Sequence, residues 1–281
     1  MGYATGSVTS EDGTTVGYRR LGRGPGLVLV HGGMQAAHSF MKLATALSDA
    51  FTVYVPDRRG RGRSGPFREG HGIQQEVQDL HALLRHTGSR DVFGLSAGAV
   101  FSLQSALELP EIRRLALYEP PLCFPEATAW VPRYERELAR GKLASAFVTI
   151  IKGTDDSAAL GLVPRFLLVP LVRLLLAADA KKAKHGDVSL RELIPTMRHD
   201  ARAVMDAAGD PGRFGRVGCD VLLLGGSKSA HYLNEIPVPA VSPRRLRLGR
   251  GPVRRRAHRR GMCVLCAFHH ICGSPRVIHQ P

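Results

Sequence analysis

The apolar run DVFGLSAGAV, residues 91–100, ends in a serine boxed by two glycines, Gly94-Leu95-Ser96-Ala97-Gly98. Small residues on both sides of a serine allow a strained strand-to-helix turn that exposes the hydroxyl and aims the next backbone N–H at a developing oxyanion. That donor would be Ala97. A second would come from the loop after an earlier apolar run, VLVHGGMQ, with Gly33 supplying its N–H. The implied chemistry is acyl transfer to the Ser96 hydroxyl, which needs a histidine to take its proton and a carboxylate to orient that histidine. Gly-x-Ser-x-Gly also occurs as a plain tight turn, so the surrounding elements must decide.

Those elements read as an α/β chain. SVTSEDGTTVGYRRLG predicts a β-hairpin around Asp12-Gly13. GLVLVHGG and FTVYVPD are continuous apolar runs of the kind found in strands buried on both faces, with helical spacing over residues 35–49 between them. After the polar turn DRRGRGRSG come a helix near residues 74–87, the strand RDVFGLS, a helix up to Pro110 and the strand RRLALYE. This alternation predicts a doubly wound, mostly parallel sheet. From 123 to 215 the spacing is helical without a strand signal, and at CDVLLLGGSKS a buried strand returns. The expected division is a core of residues 1–122 and 216–281 with an inserted helical cap at 123–215.

Taken together, His31-Gly32-Gly33, the turn from Asp57 to Gly65, the serine turn, Tyr118-Glu119-Pro120-Pro121 and Leu223-Leu224-Gly225-Gly226-Ser227 resemble the α/β-hydrolase superfamily, in particular small bacterial serine hydrolases with a helical cap. The resemblance covers about residues 3–234. It implies an esterase-like enzyme acting through an acyl-enzyme at Ser96, with His31, Asp57 and Arg58 shaping the loops beside the site and no cofactor. The commoner family slot for the acid, after DVLLLGG, holds Ser227, Lys228 and Ser229 and no carboxylate before Glu235; some relatives place it after the preceding strand, where Glu119 stands. Glu119 is the expected acid.

The family's histidine follows the eighth strand in a Gly-x-Gly-His, and no such sequence occurs here. By spacing the candidate is His258, in RRRAHRRG, with His269 and His270 as later alternatives. Five arginines around His258 would disfavour its charged form. The tail also lacks a strand of the expected pattern and a final amphipathic helix. Codons for Gly-Val-Gly-His-Thr-Ala-Ala can be chosen that, read two bases along, give the Arg-Arg-Ala-His-Arg-Arg of residues 255–260, so a frameshift between about residues 235 and 242 is one account of this C-terminus. The competing function is then a catalytically impaired hydrolase-like protein, a small-molecule binder or a nonfunctional product.

Charge and cysteine usage set further bounds. The net charge is +15, but the 46 residues from Ile236 onward hold ten arginines, no lysine and no acid, leaving 15 − 10 = 5 for the rest of the chain. A basic tail without interleaved aromatics argues against specific nucleic-acid binding. Cys263-x-x-Cys266 with His269, His270 and Cys272 has zinc-type ligands but no separated second pair, so no metal is expected. Five cysteines, an odd number, and no signal-peptide pattern suggest a cytoplasmic protein with reduced thiols. The leucine-rich stretch 158–180 contains Arg165, Arg173, Pro164 and Pro170, which excludes a membrane span; its leucines suit inter-helix packing or a cap closing over an apolar group of a small-molecule substrate.

Overall fold

The computed structural model describes residues 2–122, 128–154, 162–182, 186–207, 211–226, 246–248 and 275–276. The Asp12-Gly13 turn, with Gly13 at φ 80°, joins β1 (Ala4–Thr9) to β2 (Thr15–Gly22) as an antiparallel hairpin. There follow β3 (Gly26–Val30), α1 (Met41–Leu47), β4 (Thr52–Pro56), α2 (Ile73–Thr87), β5 (Asp91–Leu95), α3 (Ala97–Glu108) and β6 (Arg114–Tyr118). Helices α4 (Val131–Ala139), α5 (Leu143–Thr154), α6 (Arg165–Lys182), α7 (Leu190–Leu193) and α8 (Met197–Ala207) stand between β6 and β7 (Asp220–Gly226).

The strands lie in the order β1-β2-β4-β3-β5-β6-β7-β8, antiparallel at β1-β2-β4 and parallel from β4 onward. Period-2 alternation divides the core between the two faces. Val28, Val30, Val92, Leu115 and Leu117 share a cluster with residues of α2 and α3, whereas Leu27, Leu29, Val53, Val55 and Phe93 share another with residues of α1. Helix α3 is buried from Ala97 through Ala106, which explains why its sequence is apolar all round rather than striped.

Two features differ from expectation. The tail does contribute strand structure: β8 (Leu246–Leu248) pairs parallel with β7 through Val221↔Leu246 and Leu223↔Leu248, and β9 (Pro275–Arg276) pairs antiparallel with Gly225 and Gly226. A short Leu-Arg-Leu alternation suffices because β7 presents a backbone edge that a neighbour can satisfy. Packing also uses only part of the leucine-rich stretch. Val172 and Leu176 enter the core of the insertion, while Phe166, Leu171 and Leu174 are exposed, Phe166 to 74%. No helix among the described residues is long and apolar enough to cross a membrane.

Candidate active site

Strand order creates the crevice. From β3 the chain runs one way to β4 and the other way to β5, so the loops leaving β3 and β5 diverge at a topological switch point, where open α/β sheets bind ligands. Gly32 and Gly33 occupy the first loop and Ser96 the second.

Ser96 has φ 51° and ψ −120°, a conformation that non-glycine residues rarely adopt and that must be held by its surroundings. Its N–H donates to the carbonyl of Tyr118 at 2.9 Å, and its own carbonyl accepts the N–H groups of Ala99 (2.9 Å) and Val100 (3.2 Å). The two glycines of the motif are steric requirements. A Cβ at Gly94 would lie 2.6 Å from the Ala99 Cα, and one at Gly98 would strike the carbonyls of His31 and Val30. Ala97 opens α3, where a backbone N–H has no carbonyl of its own helix to bind and is available to an anion.

The β3 loop lies directly beside the serine. A Cβ on Gly32 would sit 3.3 Å from the Ser96 Cβ and 3.0 Å from the Leu95 carbonyl, so only glycine fits without a shift. Gln35 Oε1 accepts the Gly32 N–H at 2.9 Å. His31 is fully buried; its Nε2 meets the Arg58 N–H at 3.2 Å, which makes Nε2 the acceptor and leaves Nδ1 to donate to the Gly32 carbonyl at 3.0 Å. Burial, then the nearby Arg61 and Arg58 charges, hold its pKa well below the usual histidine value. This imidazole is a neutral structural member of the loop. Asp57 has a similar role, taking the Ala37 N–H at 2.8 Å and the Arg63 N–H at 3.2 Å.

Glu119 stands at the end of β6, one strand from Ser96, because Leu95 and Tyr118 are register partners. It has φ 50°, and its N–H donates to the Leu224 carbonyl at 3.0 Å. The remaining described histidines are engaged elsewhere: His38 with the Val188 N–H, His71 with Glu76, His81 with Glu111, His86 with Tyr18, and His199 stacked on Phe67. His258 follows Leu248 of β8 by ten residues and, like His269, His270 and the Cys263–Cys272 cluster, lies outside the described residues. Among the described residues no group of His, Cys, Asp and Glu could hold a metal.

Residues of the insertion that the motifs did not reveal complete the surroundings. Met197 faces Gly33, its Sδ only 2.9 Å from where a Cβ on that glycine would be, and the Asp200 Oδ2 is 3.4 Å away. The one sequence signal for Asp200 is its place on the apolar stripe of α8, where Ala201, Ala203, Val204 and Ala207 are buried beside it.

Comparison with known proteins agrees with this geometry. The alpha/beta hydrolase family profile matches residues 27–262. The uncharacterized hydrolase YraK of Bacillus subtilis (strain 168) is 34% identical over 114 residues, covering 39% of this chain and 42% of YraK. The pimeloyl-[acyl-carrier protein] methyl ester esterase of Xylella fastidiosa (strain M12) is 31% identical over 109 residues, again covering 39% and 42%. The chain thus spans less than half the length of these curated relatives. A solved α/β hydrolase from Sphaerobacter thermophilus DSM 20745 superimposes with a TM-score of 0.68 at 27% identity, over 89% of this chain and 94% of that one. The strained serine, the glycine-lined loop beside it and a profile match across most of the sequence have one common account: the chain belongs to the alpha/beta hydrolase family.

Proposed function

We propose that the protein is a serine hydrolase that cleaves a carboxylic ester or a related acyl bond through an acyl-enzyme at Ser96. The observation that carries this reading is the backbone of Ser96 itself, φ 51° at the start of a buried helix, maintained by glycines that admit no side chain. In this reading Ser96 attacks the acyl carbon, the N–H groups of Gly33 and Ala97 receive the oxyanion, and Glu119 orients a histidine supplied by the tail, His258 by spacing. The helical insertion acts as a cap. Met197 beside Gly33 and Met34 in the next position favour an apolar group on the substrate, since thioethers pack adaptably and offer little hydrogen bonding.

The test is hydrolysis of short and medium p-nitrophenyl esters by the full chain beside its Ser96→Ala and His258→Ala variants. Loss of the nucleophile or of a functioning histidine is expected to reduce kcat by roughly a millionfold. Turnover lost in both variants supports the full reading. Turnover lost only in Ser96→Ala moves the proton acceptor to another histidine, and equal inactivity of the folded wild type and Ser96→Ala overturns the reading in favour of an impaired hydrolase-like protein. Sequencing the DNA that encodes residues 235–281 for a Gly-x-Gly-His in another frame then tests the origin of the tail.

A further inference from the structure

We infer that Asp200 is a positioning residue: it latches the insertion to the core and, through that latch, keeps the Gly33 N–H aimed at Ser96. The inference rests on the roles of Ser96 and Gly33 proposed above.

Asp200 is 1% exposed, and its two carboxylate oxygens take different arginines of the core. Oδ1 accepts from Arg58 Nη2 at 2.7 Å and Oδ2 from Arg61 Nη2 at 2.5 Å. Thr196, one turn earlier, accepts from the same Arg61 at Nε (3.2 Å) and Nη2 (2.8 Å). Arg58 is in turn held by Glu76 through two bonds of 2.8 and 2.6 Å. Two guanidinium groups and two carboxylates compensate each other in a site that water does not reach, so removing one carboxylate leaves an unmatched buried charge.

Two routes lead from this latch to the oxyanion donor. The direct one is Met197, three residues before Asp200 on α8, whose sulfur lies over Gly33. The second passes through the core: Arg58, gripped by Asp200, uses its backbone N–H to hold His31, and His31 donates to the Gly32 carbonyl. The Gly32 C=O and the Gly33 N–H belong to one planar peptide unit, so fixing the oxygen fixes the direction of the N–H. Met34, the next residue, sits at φ 53° and packs among Trp130 and its neighbours in the insertion. The insertion therefore touches the loop on both sides of its donor.

Trp130, the only tryptophan in the chain, reports the insertion, where its ring packs on Tyr134 at 5.6 Å. The experiment compares wild type and Asp200→Asn in urea by Trp130 fluorescence and far-UV circular dichroism, and measures kcat and KM on p-nitrophenyl esters. Wild type is expected to show one coincident transition. Asp200→Asn is expected to lose Trp130 packing at lower urea than the bulk ellipticity, with kcat per folded molecule down about tenfold or more and KM within about twofold, because an oxyanion donor acts on the transition state. Coincident transitions in the variant, or a loss confined to KM, overturn the inference. If Asp200→Asn does not fold, Thr196→Val, which removes one hydroxyl and leaves both charges paired, is expected to show the same two changes at smaller size, and its identity with wild type counts against the latch. Absence of turnover in wild type defeats the hydrolase reading separately, leaving the fluorescence comparison to decide the latch.

Discussion

Arg58 and Arg59 are consecutive residues with matching bidentate ion pairs, yet they brace different parts of the molecule. Arg58 turns toward Glu76 and Asp200, lies over the Phe101 ring at 4.4 Å, and joins the core to the insertion beside the candidate site. Arg59 turns toward Asp79, at 2.7 and 2.8 Å, and Asp12, at 2.5 and 3.0 Å, and pins the tip of the β1–β2 hairpin onto α2. Both guanidinium groups are buried. Their partners are not alike: the Asp12 side chain is 26% exposed and the Asp200 side chain 1%. Water can replace one partner and not the other. Burial opposes the charge of Glu76, but Arg58 outweighs it and holds the carboxyl well below the usual range, whereas burial, joined by the Arg58 charge, lowers the pKa of Arg61. The same residue type in the same turn therefore has a role set by where its partner sits.

The contrast can be broken most severely at Arg58. Replacing it by methionine leaves the buried carboxylates of Glu76 and Asp200 with Arg61 as their one guanidinium partner, so one buried charge is unmatched, and a loss of about 3–5 kcal/mol in urea denaturation, together with falling activity per folded molecule, is the expected result. Arg59→Met leaves Asp79 without its cation, but that side chain is 9% exposed, against 3% for Glu76 and 1% for Asp200, and burial already raises its pKa so that it can take up a proton; the loss should be milder, about 1–3 kcal/mol. Its kcat per folded molecule should equal that of wild type, and an equal fall in kcat for both variants would erase the functional difference between the two clusters.

The smallest effect sharpens the comparison through pH. His199, next to Asp200, stacks on Phe67 with ring centroids 3.8 Å apart, and burial followed by the neighbouring His71 and Arg198 lowers its pKa to about 4. The unfolded chain binds this proton near pH 6.5, and the folded chain only near 4. Stability is therefore full above pH 6.5, is lost as pH falls from 6.5 to about 4, and changes no further below that on this account. His199→Gln should flatten the slope in that window when the urea midpoint is followed against pH. An unchanged slope would place the sensitivity on other groups.

Much of the core was legible in the sequence because its signals are local. Continuous apolar runs such as GLVLV and DVFGL identify strands buried on both faces, and the glycines around Ser96 identify a turn whose backbone admits no other residue. The acid and the latch were less legible for different reasons. Glu119 could be placed only by its position after a strand, and its neighbourhood to Ser96 depends on β5 and β6 being paired. Asp200 lies 142 residues from Arg58 in the chain, and nothing in MRHDARAVMDA declares a partner beyond a charge on an apolar stripe.

The leucine-rich helix α6 marks the limit of such reading from the other side. Its apolar composition is plain, but composition does not tell which leucines turn inward, and packing buries Val172 and Leu176 while leaving Phe166 and Leu174 exposed. The sequence by itself determined the alternation of strands and helices, the strained serine turn and the charge imbalance of the tail, since each follows from residues adjacent in the chain. Only the tertiary structure decided that His31 is a neutral brace, that Met197 covers Gly33 and that Asp200 binds two arginines of the core. Those contacts join segments far apart in sequence, and the burial that makes them strong exists only once the insertion has packed against the sheet.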